Sequence, residues 1–321
     1  MQTTRGRGAV RPPTWFRLLR MVTKLLVAIA LAIVVAWSWP AARAQAGLRV
    51  LISVDMEGVV GTVTGDQLGP TGFEYGRFRD FMTREAMAAV TAARAAGATD
   101  IIVTDAHGNG ENLLIEQFPP DVRIIRSWPR QLGMVAGVDQ QVDAVMFIGY
   151  HASTNNVNGV RAHTFSSANL TRVALNGINA SEGSWAAAIA GHFNAPVIMM
   201  SGDDAAIAEV RSAIGNIEAA ETKKSLSFHS AITLTPQASY DLIAARVKAA
   251  MARRSEFRPY KVATPVTVDI SFKNYTPAEM LAYLPGFERT DSHSIRFRAR
   301  DMVEAEAIRS FITTYRIDMT P

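Results

Sequence analysis

The hydrophobic pattern after residue 48 alternates between short apolar runs and longer segments with helical spacing. Four apolar runs have the length of buried strands, at residues 49–54, 100–104, 143–149 and 196–200. Helical patterns separate them, as in the stripe from Phe78 to Ala93, where apolar residues recur three or four positions apart. Because strands that alternate with helices form parallel sheets covered on both faces, we predict a three-layer, parallel-sheet α/β domain.

The pattern changes after about residue 215, and this change predicts a second region. Before it, residues 172–175 are predicted as an edge strand and residues 182–193 as an Ala-rich helix. After it, strand-like and helical segments lose the earlier regular alternation. We therefore predict a first α/β domain over residues 47–215. Residues 216–321 are predicted as a smaller C-terminal α+β region, or a lobe that closes over the first domain.

Residues 1–46 have the composition of a targeting segment. They contain seven basic residues and no acidic residue, and the stretch 25–39 is apolar and uncharged. Pro40 follows this stretch, and Ala-x-Ala patterns at 42–46 fit a cleavage site. This order predicts a signal peptide and an exported protein, periplasmic or secreted. The alternative is an uncleaved membrane anchor, since residues 21–39 approach the length of a membrane span.

The net charge of +4 comes from this N-terminal segment. The rest of the chain has 26 basic and 29 acidic residues, a net charge of −3. A basic surface for nucleic acid is therefore not indicated, and we predict no nucleic-acid partner. The chain contains no cysteine, so a metal ion must be held by His, Asp or Glu, and no thiol can act as a nucleophile.

Polar side chains follow the apolar runs at the points where the predicted strands end. Since the carboxyl ends of parallel strands meet at the edge where α/β sheets bind ligands, we expect these side chains to lie close together. They are Asp55, Glu57, Asp105, His107, Tyr150, His151, Asp203 and Asp204. Neighbouring carboxylates repel unless a cation or a proton is present, and His with carboxylates suits Zn²⁺ or Mn²⁺. The pattern therefore predicts a metal site at this edge.

Two further residues are candidates for the same site. His163 lies in a loop rich in Asn and Gly that follows His151. Glu182 begins the predicted Ala-rich helix, where its simpler role is a first-turn acid behind Ser181 as N-cap. The residues alone leave both roles of Glu182 open. His192, at the other end of that helix, is expected to be structural.

Four motifs, in this order, make the chain resemble the D-aminopeptidases of the dipeptide-operon type, peptidase family M55. They are SVDMEG at 53–58, TDAHGNGENLL at 104–114, FIGYHA at 147–152 and SGDDAA at 201–206. The C-terminal segments FKNYTPAEMLAYLPGFER and IRFRARDMVEA are also similar to the family, so the resemblance covers roughly residues 49–317. The loop from His151 to His163 is one residue longer than the family pattern.

The resemblance implies a zinc-dependent aminopeptidase that acts on short peptides with an N-terminal D-amino acid, such as D-Ala-D-Ala. It implies two zinc ions that share one carboxylate and are held by Asp55, Glu57, His107, His151 and Glu182. Asp55 is the shared ligand in this pattern.

The same resemblance implies catalysis by metal-activated water with His163 as the catalytic histidine, in the role of base, acid, oxyanion stabiliser or nucleophile. It also implies a homo-oligomer, a decamer of stacked pentamers. Two alternatives stay open at the level of sequence. One is another metal-dependent amidohydrolase on the same scaffold, and the other is an exported peptide-binding protein without turnover.

Overall fold

The computed structural model describes residues 47–316, so the predicted signal peptide and the alternative anchor lie outside the described residues. Within this range, each helix is too short or too polar to span a bilayer. The elements in chain order are β1 (Leu48–Val54), α1 (Tyr75–Ala95), β2 (Ala98–Asp105), β3 (Arg123–Ile125), β4 (Ala144–Tyr150), β5 (Leu170–Leu175), β6 (Ile178–Asn179), α2 (Glu182–His192), β7 (Val197–Asp203), α3 (Asp204–Ile214), β8 (Glu218–Ser227), β9 (Ser230–Thr233), α4 (Pro236–Ala252), β10 (Val266–Phe272), α5 (Tyr275–Leu281), β11 (Phe287–Asp291), β12 (Ser294–Ala299) and α6 (Met302–Thr314).

A seven-stranded sheet in the order β3-β2-β1-β4-β7-β8-β9 forms the centre of the fold. Its neighbouring strands are parallel, except that β9 runs antiparallel to β8. The middle strands β1 and β4 are buried along nearly their whole length, as expected for continuous apolar runs in a sheet covered on both faces. The predicted parallel α/β sheet is therefore confirmed.

The direction in which successive strands are added to the sheet reverses between β1 and β4. As a result, helices cover both faces of the sheet. From β1 the chain passes through α1 to β2 on one side, whereas β7 and β8 follow on the other side through α2 and α3. Because such crossovers are right-handed, α1 lies on one face of the sheet and α2 and α3 lie on the opposite face. The carboxyl ends of β1 and β4 consequently border the crevice in which open α/β sheets bind ligands.

A second sheet of five antiparallel strands has the order β11-β12-β10-β5-β6. The segment predicted as an edge strand, 172–175, belongs to β5, which is paired on both sides within this second sheet. Strand β8 extends the main sheet although it follows residue 215. Each of the two sheets thus contains strands from both sides of residue 215.

Capping side chains fix the starts of the helices near the crevice. Ser181 is the N-cap of α2, as the sequence indicated, and its hydroxyl accepts the N–H of Ser184 at 3.1 Å. Asp203 caps α3 in the same way by accepting the N–H of Ala206 at 2.9 Å. These caps satisfy backbone donors that helix starts leave unpaired, and they set where each helix begins.

Candidate metal centre

The predicted site residues come together in one cluster from four elements of the fold. Asp55 and Glu57 follow β1, His107 follows β2, His151 follows β4, and Glu182 is the first residue of α2. All five side chains are buried. The topology brings them together because the ends of β1, β2 and β4 lie side by side at the point of strand reversal.

His107 faces the two carboxylates that follow β1. Its Nδ1 lies 3.2 Å from Asp55 Oδ1 and 3.0 Å from Glu57 Oε2. Its Nε2 lies 2.7 Å from the carbonyl oxygen of Leu68. A proton on Nε2 donates to that carbonyl, so the neutral ring presents an unprotonated Nδ1 to Asp55 and Glu57. Histidine ligands of metal ions are oriented in this way by a partner of the second nitrogen.

His151 faces Asp55 from the opposite side. Its Nε2 lies 3.5 Å from Asp55 Oδ2 and 3.5 Å from Glu182 Oε2, while its Nδ1 lies 2.9 Å from the carbonyl oxygen of Ala152. Four ligands at about 2.1 Å around a tetrahedral zinc ion are separated from one another by about 3.4 Å. The separations around His151 thus suit donors that share a cation. Asp55 directs one oxygen to each histidine.

His163 lies beside these five residues and is more accessible, with 14% of its side chain exposed. Its ring stacks on the ring of His151, with centroids 4.1 Å apart and planes 7° apart. Its Nδ1 lies 2.8 Å from the carbonyl oxygen of Arg161, and its Nε2 lies 3.7 Å from Glu182 and 3.9 Å from Glu57. The nitrogen that faces the carboxylates is therefore Nε2.

The donor set fits metal ions. Three groups of side chains offer donor atoms that all lie within 4.8 Å of one another: Asp55, Glu57 and His107; Asp55, His151 and Glu182; and Glu57, His151 and His163. Buried atoms that find no hydrogen-bond partner among residues 47–316 include Asp55 Oδ2, Glu57 Oε2 and His151 Nε2. Unpaired buried polar atoms are costly, and all three of these atoms belong to the cluster. Oxygen and imidazole nitrogen donors are the set that zinc accepts in the absence of cysteine.

The charges of the cluster also favour a cation. The pKa of Asp55 is raised to about 7, first by burial and then by the Glu57 carboxylate. Burial alone would lower the pKa of His107 and His151. The neighbouring carboxylates together outweigh burial, with Glu57 contributing most at His107 and Glu182 most at His151, and they raise the pKa of His151 to about 10. Protons on Asp55, His107 and His151 thus offset the negative charge of the buried carboxylates. A metal ion would take the place of these protons, since metal binding releases them.

The cluster forms one wall of a cavity of about 310 Å³. Trp128, Phe165 and Arg309 contribute to the other walls, and Arg309 comes from α6 in the C-terminal region. A larger cavity of about 940 Å³ lies along α3, and its lining among the described residues includes none of the six site residues. The chemistry therefore assigns the site to the smaller cavity.

Three other strand-end acids serve local structure. The Asp105 carboxylate accepts the backbone N–H groups of Asn112 and Leu113 at 2.6 and 2.8 Å. Asp203 caps α3, and Asp204 accepts the N–H of Ser225 at 2.8 Å. The sequence placed these acids at the same edge of the sheet because each lies at a strand end. Strand-end position alone did not show which acids would face the cavity.

An α/β fold with a buried His–carboxylate cluster at its strand reversal defines a candidate metallohydrolase. Comparison with known proteins identifies the family. The family model of Peptidase M55, described as D-aminopeptidase, matches residues 48–311, and the chain belongs to this family.

Two relatives illustrate the similarity. A D-aminopeptidase of Bacillus subtilis (strain 168) is 29% identical over 259 residues, which span 80% of this chain and 94% of that protein. The solved structure of the Zn-dependent D-aminopeptidase DppA from Bacillus subtilis, a self-compartmentalizing protease, superposes with a TM-score of 0.80 at 28% identity. The match covers 85% of this chain and 100% of the DppA chain. The family predicted from the sequence motifs is confirmed.

Proposed function

We propose that this chain is a zinc-dependent aminopeptidase that hydrolyses short peptides with an N-terminal D-amino acid, such as D-Ala-D-Ala. The proposal rests on one observation in a chain of the D-aminopeptidase family: Asp55 belongs to two groups of metal-binding side chains, one with His107 and one with His151. A cavity of about 310 Å³ lies at the lower end of the range for ligand pockets, which suits a short peptide.

The proposed ligands form two groups that share one carboxylate. Asp55, Glu57 and His107 would hold one zinc ion, and Asp55, His151 and Glu182 would hold the other. The three carboxylates carry a charge of −3, which two divalent ions and one hydroxide would bring to zero. When bound, zinc supplies Lewis acidity and a nucleophile at neutral pH.

His163 is the proposed catalytic residue. Burial first, and then the neighbouring His151, lower its pKa, which favours the neutral imidazole. The hydrogen bond from Nδ1 to the carbonyl of Arg161 leaves Nε2 as the nitrogen that can accept a proton. His163 can thus take a proton at Nε2 and return it to the leaving amine, which is the work of a general base and acid.

Export and assembly are further parts of the proposal. The N-terminal segment, with its basic, apolar and small residues in order, supports a signal peptide and a periplasmic or secreted protein. The alternative is attachment to the membrane through residues 21–39. Outside the cytoplasm the enzyme would meet D-Ala-containing fragments of cell wall. The likeness to a self-compartmentalizing protease supports a homo-oligomer, with a decamer as the proposed form.

The direct test follows release of free amino acids by zinc-loaded protein that begins at Gly47. The substrates are D-Ala-D-Ala and L-Ala-L-Ala, each with and without a chelator. We expect cleavage of the D-peptide alone, abolished by the chelator. Cleavage of other amides but of neither peptide would make the protein a different amidohydrolase. Zinc-dependent binding of D-peptides without turnover would make it a binding protein.

A further inference from the structure

Lys223 of β8 is a buried lysine whose ammonium group meets backbone oxygens of one loop. Its side chain is almost fully buried. The Nζ donates hydrogen bonds to the carbonyl oxygens of Glu57, of Val59 at 3.0 Å and of Thr62 at 2.6 Å. An ammonium group has three N–H donors, and each of them has a carbonyl here. The whole hydrogen-bonding capacity of Lys223 is therefore used on the stretch that follows β1.

That stretch, residues 55–62, carries two of the proposed zinc ligands, and we call it the ligand loop. It contains Asp55, which directs an oxygen to each of His107 and His151, and Glu57, which faces His107. The carbonyl of Glu57 points to Lys223 while its carboxylate points into the cavity. A displacement of this backbone would thus move a ligand directly.

The ligand loop is held by other side chains as well. The Thr222 hydroxyl donates to the carbonyl of Gly58 at 2.7 Å, and the Glu85 carboxylate accepts the N–H of Val60 at 3.0 Å. Gly58 also lies so close to β4 that a Cβ atom there would be 2.1 Å from the carbonyl oxygen of Tyr150. The ligand loop is thus held from several sides. Among these groups within residues 47–316, only Lys223 binds three carbonyl oxygens of the loop.

We propose that Lys223 is a positioning residue, which fixes the backbone of the ligand loop so that Asp55 and Glu57 present their carboxylates to zinc. The inference rests on the proposed function and adds a residue outside the ligand set. Without the ammonium group, the carbonyl oxygens of Glu57 and Thr62 lose this donor, whereas that of Val59 keeps the N–H of Thr62 at 3.1 Å. A buried oxygen left unpaired favours a backbone shift toward another partner. Groups that orient metal ligands typically contribute a factor of about 10 to 100 in metal affinity.

The test compares Lys223→Met with Lys224→Met. Lys224 is the next residue of the same strand, and it is exposed. Zinc affinity is measured by competition with a chromophoric chelator, bound zinc is counted by elemental analysis, and folding is followed by circular dichroism and by thermal unfolding of the zinc-free protein. We expect Lys223→Met to bind zinc about 10- to 100-fold more weakly. Lys224→Met should match the wild type.

If Lys223 contributed only to stability, its loss would change thermal unfolding and not zinc affinity. Folded Lys223→Met with wild-type zinc affinity and a lowered thermal midpoint would overturn the proposal. If Lys223→Met does not fold, Thr222→Val decides, since it removes one hydrogen bond to Gly58 of the same loop and should weaken zinc binding by a smaller factor. Unchanged affinity in Thr222→Val would then overturn the proposal. Failure of the proposed function would show separately, as absence of zinc or of turnover in the wild-type protein.

Discussion

His163 differs from the other two histidines of the cluster in the direction of its pKa shift. Carboxylates raise the pKa of His107 and of His151, whereas burial and the charge of His151 lower the pKa of His163. A histidine that is neutral at neutral pH and partly accessible suits proton transfer. Histidines held tightly against two carboxylates suit metal binding. The three rings therefore have different proposed roles although all lie within one cluster.

The His163→Ala variant is expected to keep its zinc and to lose most of its turnover. Loss of a general acid–base group reduces kcat by roughly 10²- to 10⁴-fold. Zinc content and kcat on D-Ala-D-Ala, measured on the same preparation, test this expectation. Full activity would remove His163 from the mechanism.

The His107→Ala variant provides the contrast. His107 contacts Asp55 and Glu57 through Nδ1, and its removal deletes one of the proposed ligands. We expect the variant to lose metal together with activity. A His107→Ala protein that still holds two zinc ions would refute this ligand assignment.

Glu85 of α1 provides a pH-dependent contribution to stability. It is buried, its Oε1 accepts the N–H of Val60 and the hydroxyl of Ser239, and burial raises its pKa to about 7 despite these bonds and the nearby Lys223. An acid whose pKa is higher in the folded than in the unfolded state stabilises the fold below its unfolded pKa. That stability is lost as pH rises through the folded pKa.

Between about pH 4.5 and 7, Glu85 should therefore remove about 3 kcal/mol from the free energy of unfolding. Glu85→Gln abolishes this titration, so its free energy of unfolding relative to the wild type should improve as pH rises across that range. Denaturant unfolding of both proteins at pH 5, 6, 7 and 8 measures the difference. A difference that is constant with pH would contradict the assigned pKa shift.

At the scale of elements, α6 connects the C-terminal region to the helix that carries Glu182. Trp185 of α2 donates its indole N–H to Glu306 of α6 at 2.7 Å, and Glu306 pairs with Arg309 one turn further on. The guanidinium group of Arg309 lies 4.1 Å from the centre of the Phe165 ring. The hydrogen bond from Trp185 to Glu306 thus joins the two helices next to a buried ion pair within α6, and Arg309 also lines the cavity.

Arg309→Leu is expected to destabilise the protein by ~3–5 kcal/mol, because it leaves the Glu306 carboxylate buried without its cation. Arg300→Leu is the matched control. Arg300 pairs with Glu304 at the start of the same helix but is 82% exposed, so its loss should cost less than about 1 kcal/mol. Thermal or denaturant unfolding compares the two. Equal effects would contradict a special role of the buried pair.

At the scale of the whole molecule, the surface along α3 carries exposed aliphatic side chains. Val157, Ile178 and Leu226 are 92%, 67% and 62% exposed, and all three line the cavity of about 940 Å³. Apolar patches of this kind are typical of protein–protein interfaces. They support the proposed assembly into a homo-oligomer.

Light scattering on the protein from Gly47 onward tests the proposed decamer, for which a species of about ten protomer masses is expected. Leu226→Glu combined with Ile178→Glu should shift it toward smaller species, since a charge buried in an interface is costly. Wild-type protein that is monomeric at micromolar concentration would contradict the assembly. An unchanged decamer in the double variant would place the interface elsewhere on the surface.

The sequence by itself determined the alternation of strands and helices and the residues that follow β1, β2 and β4. Apolar periodicity is a local property, and parallel strands bring their carboxyl ends to one edge whatever the details of packing. The position of Asp55 and His107 at that edge could therefore be predicted. Family motifs added Glu182, which the residues alone explained as a first-turn acid behind the N-cap Ser181.

Only the tertiary structure decided which strand-end acids face the cavity and which residues hold them in place. Asp105 and Asp203 also lie at strand ends, as Asp55 does, yet their carboxylates bind backbone N–H groups and do not line the cavity. Lys223 follows the buried Thr222 in β8 and reaches carbonyls more than a hundred residues earlier in the chain. Such contacts depend on which segments meet after folding, and local periodicity carries no information about that meeting.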